Sequence, residues 1–231
     1  TLSVKSINEI LGRLQGEKKL LYDKDYIEQL YKEYQDIDID DTKDIEALQK
    51  IFAGREVLLV GPGMNIEKQE DKIKDYCKEK KPVVVSVNFV AEQFGADYIF
   101  LSNAKRYVQL ATALSQKDHS YEVIATSNVT KTNGKFDYTV KYGSLLDEKA
   151  EIIDNSFIML LKLMKRLKVE HVALAGFDGY IGDKKQNYIN PNMEYNFNEE
   201  QAAALNLYVA GVLKKMKDEI EMEFVTDSLY V

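Results

Sequence analysis

The chain has 231 residues, of which 45% are hydrophobic and 30% charged, and it contains no long uncharged apolar run. This composition excludes a membrane-spanning protein and a wholly disordered chain, and the length suits one domain with an appendage. The formal net charge of -7 argues against broad binding to a nucleic-acid backbone, and the single cysteine, Cys77, excludes an intrachain disulfide. Since no secretory signal is visible either, we expect a cytoplasmic protein that binds neither nucleic acid nor membranes.

The first 54 residues have the pattern of helices. Apolar residues at helical spacing follow Ser3, which is a suitable N-cap, and two further helices are expected over residues 23–35 and 43–52. Thr1 is not an initiator methionine, so we expect a fragment or a processed chain. We interpret residues 1–54 as a helical linker or appendage and residues 55–231 as a separate domain.

From residue 55 onward, short apolar runs alternate with helical stretches. Buried strands are predicted over residues 56–60, 82–87, 98–101, 122–125, 171–175 and 223–225. Helices are predicted over residues 67–80, 104–115, 155–167 and 199–217, and residues 137–142 alternate as an edge strand would. Buried parallel strands that alternate with helices predict a Rossmann-like three-layer α/β sandwich with a mostly parallel sheet, whose strand order stays open.

Small and polar residues follow the predicted strands. In an open parallel sheet, ligands bind beyond the carboxyl ends of the strands, where these residues would meet. Glycines there let the backbone approach a ligand closely, and a following helix offers N–H groups to a phosphate or carboxylate. The pattern therefore favours a site for a small anionic ligand, with the candidate residues Gly61, Pro62, Gly63, Met64, Asn65, Asn88, Ser102, Asn103, Tyr107, Ser127, Asp178 and Tyr180.

Each candidate also has a purely structural interpretation. Residues 61–63 could serve only as a turn, and an asparagine at a strand end often only caps or turns the chain. Lys105 and Arg106 could neutralise an anion, but a solvated helix start explains them equally well. Asp178 is the best candidate for a catalytic carboxylate because it closely follows a strand, although capping of a turn is a comparable explanation.

Several well-known catalytic and phosphate-binding motifs are missing. The glycine turn lacks the third glycine of the dinucleotide fingerprint, and Asn88 stands where that fingerprint has an acidic residue. The sequence has no Walker-type lysine, no Gly-x-Ser-x-Gly and no histidine pair with metal-ligand spacing. We interpret His171 as a structural strand residue, His119 as exposed in a polar loop, and Cys77 as a small buried hydrophobe.

Four segments together resemble bacterial sialyltransferases and the related pterin-diphosphokinase-like proteins: residues 57–63, 86–89, 97–103 and 174–180. The likeness spans roughly residues 55 to 200. It implies a fold in which a glycine turn and two strand-end asparagines hold the nucleotide and phosphates of a CMP-sugar.

Carried onto this sequence, the resemblance implies those roles for Gly61, Gly63, Asn88 and Asn103. It also implies that Tyr180 or Tyr188 grips a phosphate. The catalytic histidine of the family should come after residues 176–180, yet no histidine follows His171, and Asn65 stands in place of the family's serine. The departure counts against sugar transfer by the family's mechanism.

A second resemblance takes in the start and the end of the chain. Residues 6–11, 22–26, 60–63, 102–107 and 224–230 are similar to the region that follows the barrel in some bacterial aldolases of the hydroxymethylglutaryl-CoA lyase-like group, often labelled 4-hydroxy-2-oxovalerate aldolase. The resemblance implies an upstream (β/α)₈ barrel with a divalent metal and an aldol or retro-aldol reaction. It implies no cofactor and no metal ligand within this sequence.

Three functions are consistent with these patterns. The first is a binding module for a nucleotide, a nucleotide-sugar or another phosphorylated metabolite, attached to an aldolase-type enzyme. The second is a transferase that acts on a nucleotide-activated sugar, with Asp178 or a tyrosine in place of the absent histidine. The third is a non-catalytic interaction or oligomerisation domain, whose N-terminal helices pack against the barrel or against a second copy of the chain.

Overall fold

The computed structural model of the protein describes residues 39–114, 119–130, 136–147, 153–182, 187–193 and 197–231. The helices expected over residues 1–35 lie outside the described residues. The described helices, in chain order, are α1 Thr42–Phe52, α2 Asn65–Lys68, α3 Glu70–Lys80, α4 Ala104–Leu114, α5 Ser127–Thr130, α6 Ser156–Arg166 and α7 Glu199–Met216. Short 3₁₀ turns occupy Glu92–Phe94, Tyr142–Leu145 and Pro191–Met193.

The described strands form one parallel sheet. They are β1 Val57–Val60, β2 Val83–Val87, β3 Tyr98–Leu101, β4 Glu122–Thr126, β5 Tyr138–Val140, β6 His171–Ala175 and β7 Glu221–Phe224. Their order is β5-β4-β3-β2-β1-β6-β7, and every neighbouring pair is parallel. The predicted Rossmann-like α/β architecture is therefore confirmed, and the alternating segment 137–142 does supply an edge strand.

The central strands are buried on both faces, as expected of a parallel sheet covered by helices. Every residue of β1, β2 and β3 is buried, and successive side chains point to opposite faces. Val57 and Leu59 pack in the apolar core that includes residues of α1, α6 and α7. Leu58 and Val60 pack on the other face, with Ile73 of α3. The helices thus form a layer on each side of the sheet.

Helix α1 belongs to this core. Leu48 and Phe52 are fully buried in it, although they lie in the segment 1–54 that the sequence indicates as an appendage. Before α1, the carboxylate of Asp41 accepts hydrogen bonds from the Arg166 guanidinium at 2.8 and 2.9 Å and from the backbone N–H of Lys141 at 2.7 Å. The described part of the segment, residues 39–54, is therefore packed as part of the α/β unit.

The side of the sheet on which the chain adds new strands switches between β1 and β6. From β1 to β4 it adds strands on one side, with α3 and α4 packed on one face, whereas β6 to β7 adds a strand on the other side, with α7 on the opposite face. This is the arrangement that right-handed crossovers require. The loops that follow β1 and β6 thus meet at the topological switch point, where open α/β sheets bind ligands. No described helix is long and apolar enough to cross a membrane.

The packing of α1 predicts a large effect of Leu48→Ala. Removing this fully buried side chain should lower the free energy of unfolding by about 2–5 kcal/mol, because it deletes apolar contacts and leaves a cavity. Leu207→Ala on α7 is the matched control, since Leu207 is 77% exposed, and it should change stability by less than about 0.5 kcal/mol. Urea unfolding curves compare the two. Equally small effects would contradict the assignment of α1 to the core.

Candidate functional site

The loops after β1 and β6 are in direct contact at the switch point. The N–H of Gly61 donates to the carbonyl of Ala175 at 2.8 Å, and the N–H of Gly63 donates to the carbonyl of Gly176 at 2.9 Å. A Cβ on Gly63 would lie 2.5 Å from Cγ of Asp178, which no real side chain tolerates. Gly176 has a φ of +70°, in the left-handed region that glycine adopts at low cost. Glycine is therefore required where the sequence predicts a close backbone approach.

Asp178 lies at this contact, and only one of its two carboxylate oxygens has a hydrogen-bond partner among the described residues. Its Oδ2 accepts a hydrogen bond from the backbone N–H of Asn65 at 2.8 Å, whereas its buried Oδ1 has no hydrogen-bond partner among the described residues. Burial raises the pKa of Asp178 to about 6, against the opposing effects of the backbone N–H groups of Asn65 and Met64 and of the charge of Lys68. A half-buried carboxyl group with a strongly shifted pKa at a switch point is typical of a functional site.

The same hydrogen bond changes the expected role of the glycine turn. The N–H groups of Gly61, Gly63 and Asn65 all have partners within the chain, so they are already satisfied in this conformation. We refer to residues 61–65 and Asp178 together as the switch-point cluster. Pro62 accepts a hydrogen bond from the N–H of Ile189, and Met64 is half-buried beside the turn. The Asp178 carboxylate therefore occupies the position at the glycine turn where the sequence predicts a bound anion.

A second group of polar side chains lies at the ends of β2 and β3. The Asn88 amide donates to Oγ of Ser156 at 2.9 Å, and the Ser102 hydroxyl donates to the same oxygen at 2.7 Å. We call Asn88, Ser102 and Ser156 the serine cluster. Asn88 is 8% exposed, and its Oδ1 is buried without a partner among the residues that the structure describes. Its φ of 60° places the backbone in the left-handed region, which asparagine tolerates better than most residues.

A stacked pair of aromatic rings connects the two clusters. Phe157 follows Ser156 on α6, Phe177 precedes Asp178, and their ring centroids are 3.9 Å apart with an interplanar angle of 18°. Both residues are buried, and Phe177 also packs closely against Gly61. The sequence predicts one crevice shared by all the strand ends. The structure instead has a packed aromatic floor between the switch-point cluster and the serine cluster.

Other predicted residues have partners inside the fold. The side chain of Asn103 accepts hydrogen bonds from the N–H groups of Lys105 at 2.9 Å and Arg106 at 3.4 Å, which makes it a cap for α4. The Ser127 hydroxyl accepts from the N–H of Tyr142 at 3.0 Å. The Tyr107 ring packs against Phe136 at 5.3 Å.

Arg106, considered as a cation for an anionic ligand, is only 4% exposed. Its guanidinium donates to the carbonyl of Met193 at 2.6 Å and to Gln109 at 2.9 Å. These contacts anchor the 3₁₀ turn Pro191–Met193 to the body of the domain. Arg106 is thus a structural cation in this conformation.

Tyr180 and Tyr188 lie together next to the switch-point cluster. Their rings meet edge to face with centroids 6.3 Å apart. The backbone of Tyr180 is fixed by Asn206 of α7, whose side chain accepts from its N–H and donates to its carbonyl, each at 2.8 Å. Tyr188 comes just before Ile189, whose N–H donates to the carbonyl of Pro62 at 3.0 Å. A role of either tyrosine in gripping a phosphate stays a prediction.

Two parts of the site are not predicted from the sequence. Ser156 and Phe157 begin α6, and their place depends on the strand order, which brings the start of this helix to the ends of β2 and β3. The second part is the segment 225–231, which runs along the loop after β6. In this segment, the N–H of Leu229 donates to the carbonyl of Asp178 at 2.8 Å, and the Ser228 hydroxyl donates to the carbonyl of Phe177 at 2.7 Å.

The histidines and the cysteine lie away from these clusters. At the start of β6, Nδ1 of His171 lies 3.0 Å from a carboxylate oxygen of Glu56. The sequence predicts an exposed His119, but the residue is half-buried, with its ring stacked on Tyr121 at a centroid distance of 4.2 Å. Cys77 is half-buried, and burial raises the pKa of its thiol, which disfavours the reactive thiolate.

The divalent metal implied by the aldolase resemblance has no fitting ligand set in the part of the chain that the structure describes. No group of three or more His, Cys, Asp or Glu side chains there could hold a metal ion.

Comparison with known proteins gives no family assignment. No protein-family model matches the chain, and no curated protein matches it either.

The environment of Asp178 predicts that Asp178→Asn stabilises the protein at neutral pH. Because the folded-state pKa of about 6 lies above the ordinary value of 3.8, protonation stabilises the folded protein, and this contribution is complete below about pH 4 and lost as the pH rises through about 6. The amide should therefore raise the free energy of unfolding at pH 7.5 by about 1–2 kcal/mol, a figure reduced for partial solvent exposure, and by much less at pH 4.

Thermal denaturation at both pH values measures this difference. Asp75→Asn on α3 is the control, since Asp75 is 76% exposed and its replacement should show no such pH dependence. A pH-independent effect of Asp178→Asn would contradict the description of the buried carboxyl group.

Proposed function

We propose that this protein binds a small polar metabolite, a nucleotide, nucleotide-sugar or other phosphorylated compound, at the carboxyl edge of its sheet between the serine cluster and the switch-point cluster. One observation carries the proposal. Asn88 and Asp178 each bury a hydrogen-bond acceptor that has no donor among the described residues. Such an orphaned acceptor costs about 1–3 kcal/mol of stability, so a folded protein keeps it where a ligand supplies the donor.

The spacing of the two acceptors suits a ligand of nucleotide size. Asn88 follows β2 and Asp178 follows β6, and these strands flank β1 on its two sides. Neighbouring strands are about 4.8 Å apart, so the two strand ends are separated by roughly 10 Å. Both acceptors require hydroxyl or amino groups on the ligand, which a sugar ring or a nucleobase provides. The dipole of α6, whose first residue is Ser156, favours negative charge at the serine cluster.

The aldolase resemblance adds a context to this proposal. If the chain follows a barrel that carries out an aldol reaction, the proposed site belongs to a binding module attached to that enzyme. This assignment is supported by the sequence motifs, whereas the proposed binding site is supported by the two orphaned acceptors and the switch point.

Calorimetric titration tests the binding. We expect saturable heat with at least one of CMP, UMP, AMP, GMP, a CMP-sugar or ribose 5-phosphate. Asp178→Asn and Asn88→Gly should each weaken the affinity about tenfold or more, because each removes an acceptor that the ligand uses. Glycine is the right replacement at residue 88, since it keeps the left-handed backbone while deleting the carboxamide.

The control variant is again Asp75→Asn, which removes a carboxylate from the exposed face of α3 and should leave the affinity unchanged. Absence of heat with every compound, on a protein shown to be folded by circular dichroism, would reject the proposal. Equal affinities for wild type and both site variants would place the ligand elsewhere.

The shifted pKa of Asp178 favours a second candidate function, transfer of a sugar from a nucleotide-activated donor. A general base works best when its pKa lies near the working pH, and a carboxyl group with a pKa of about 6 meets that condition better than an ordinary aspartate. In this function, Oδ1 accepts the proton of the attacking hydroxyl group while Oδ2 stays bound to the N–H of Asn65. The hydroxyl oxygen bonds to the anomeric carbon of the sugar as the bond from that carbon to the phosphate oxygen breaks, and the nucleotide leaves with the electron pair. The carboxylate would thus replace the histidine of the sialyltransferase-like pattern.

Turnover distinguishes this function from simple binding. The rate of release of nucleotide from a CMP-sugar should rise as the pH increases through about 6, because only the ionised carboxylate accepts a proton. Asp178→Asn should lower that rate by about 10²–10⁴-fold, well beyond its effect on affinity. Phosphorus NMR follows the reaction. A rate unaffected by the substitution would remove Asp178 as the base.

A further inference from the structure

Tyr230 adds a third ring to the aromatic floor of the site. Its ring stacks on Phe157 with centroids 6.2 Å apart and an interplanar angle of 21°, nearly parallel to the Phe157–Phe177 pair. Burial strongly raises the pKa of its hydroxyl group, with smaller contributions from Tyr180 and Asp178. A planar ring with one polar edge thus lies on the apolar floor between the two clusters, with that edge in the electrostatic reach of Asp178.

The residues on either side of Tyr230 in the sequence are more exposed than Tyr230 itself. Leu229 is 58% exposed and Val231 is 78% exposed, so Tyr230 is the one residue of these three whose side chain enters the body of the protein. Single hydrogen bonds from Leu229 to Asp178 and from Ser228 to Phe177 fix the backbone beside the loop after β6. Opening of residues 229–231 would therefore cost mainly the unpacking of the Tyr230 ring from the core and the loss of the Leu229 hydrogen bond.

The groups that surround the Tyr230 ring would also suit a planar heterocycle. Phe157 supplies a parallel ring face for stacking, which is worth about 1–3 kcal/mol for a nucleobase in comparable aromatic sites. Oδ1 of Asp178 supplies an acceptor for a ring N–H or an exocyclic amino group. Tyr230 fills the stacking position but leaves that acceptor unpaired, so its ring is an incomplete substitute for a ligand that carries both features.

We infer that Tyr230 occupies the nucleobase subsite of the proposed ligand site, and that a ligand with a planar heterocyclic ring binds by displacing it. The inference rests on the proposed function. It adds a class of ligand, compounds with a planar heterocycle, and a residue, Tyr230, that closes the subsite when no ligand is bound. Because the protein must open before such a ligand binds, the closed arrangement lowers the apparent affinity by the fraction of molecules that are open. A ligand without a planar heterocycle does not need this opening to reach the serine cluster.

The absence of tryptophan from the sequence gives a direct readout. In the variant Tyr230→Trp, the single indole should be shielded from acrylamide quenching without ligand and become accessible when CMP, UMP, AMP or GMP binds. Ribose 5-phosphate, which is the same ligand without its base, should leave the quenching unchanged. Leu229→Trp is the matched control, because residue 229 is already exposed and its indole should be quenched strongly with or without nucleotide.

A second variant measures the competition itself. Tyr230→Ala should tighten binding of the preferred nucleotide by about fivefold or more, because the internal ring no longer competes, and should leave the affinity for ribose 5-phosphate unchanged. A nucleotide that binds wild type, leaves the indole quenching of Tyr230→Trp unchanged and binds Tyr230→Ala with unchanged affinity would overturn the inference while the proposed function stands. No binding to wild type or to either variant would overturn both.

Discussion

The contact between the loops after β1 and β6 is the constraint on which the rest of the site depends. Two hydrogen bonds join Gly61 and Gly63 to the backbone of β6 and Gly176, and side chains at these positions would overlap the opposite loop. Because the loops touch, Asp178 is brought over the backbone of residue 63 and onto the N–H of Asn65. The position of the Asp178 carboxylate, its burial and its unpaired oxygen therefore all follow from the absence of side chains on these glycines.

The polar residues of the strand ends divide into two kinds. Asn103 and Ser127 are satisfied by N–H groups of the neighbouring chain, as caps and turn residues usually are. The side chains of Asn88 and Asp178 each use one atom in a hydrogen bond, and each buries an oxygen without a donor among the described residues. The first kind contributes to stability, whereas the second kind lowers it. This difference is what separates candidate ligand residues from structural ones, since all four have the same position at the carboxyl edge of the sheet.

The sequence predicts most of the architecture and less of the site. Strands such as His171–Ala175 are evident because continuous apolar runs bounded by polar residues occur in buried parallel sheets. The strand order is not evident, because it depends on packing between segments far apart in the chain, such as β1 with β6. The position of Ser156 at the ends of β2 and β3 depends on that order. Whether Asn88 has a donor for its oxygen depends on ångström-scale geometry, which no sequence pattern expresses.

The aromatic floor changes the kind of site that this edge of the sheet can form. Phe157 and Phe177 fill the deep part of the predicted crevice, so the proposed ligand would lie above them rather than within the sheet layer. Phosphate recognition by the glycine turn would need N–H groups without partners, but the N–H groups of Gly61, Gly63 and Asn65 already donate to other groups of the chain. In the proposed site, recognition would instead rely on a ring face and two acceptors, which would favour ligands that combine a planar group with hydroxyl or amino donors over ligands that are only anionic. The net charge of -7 is consistent with that preference of the proposed site, because it gives no general attraction for anions.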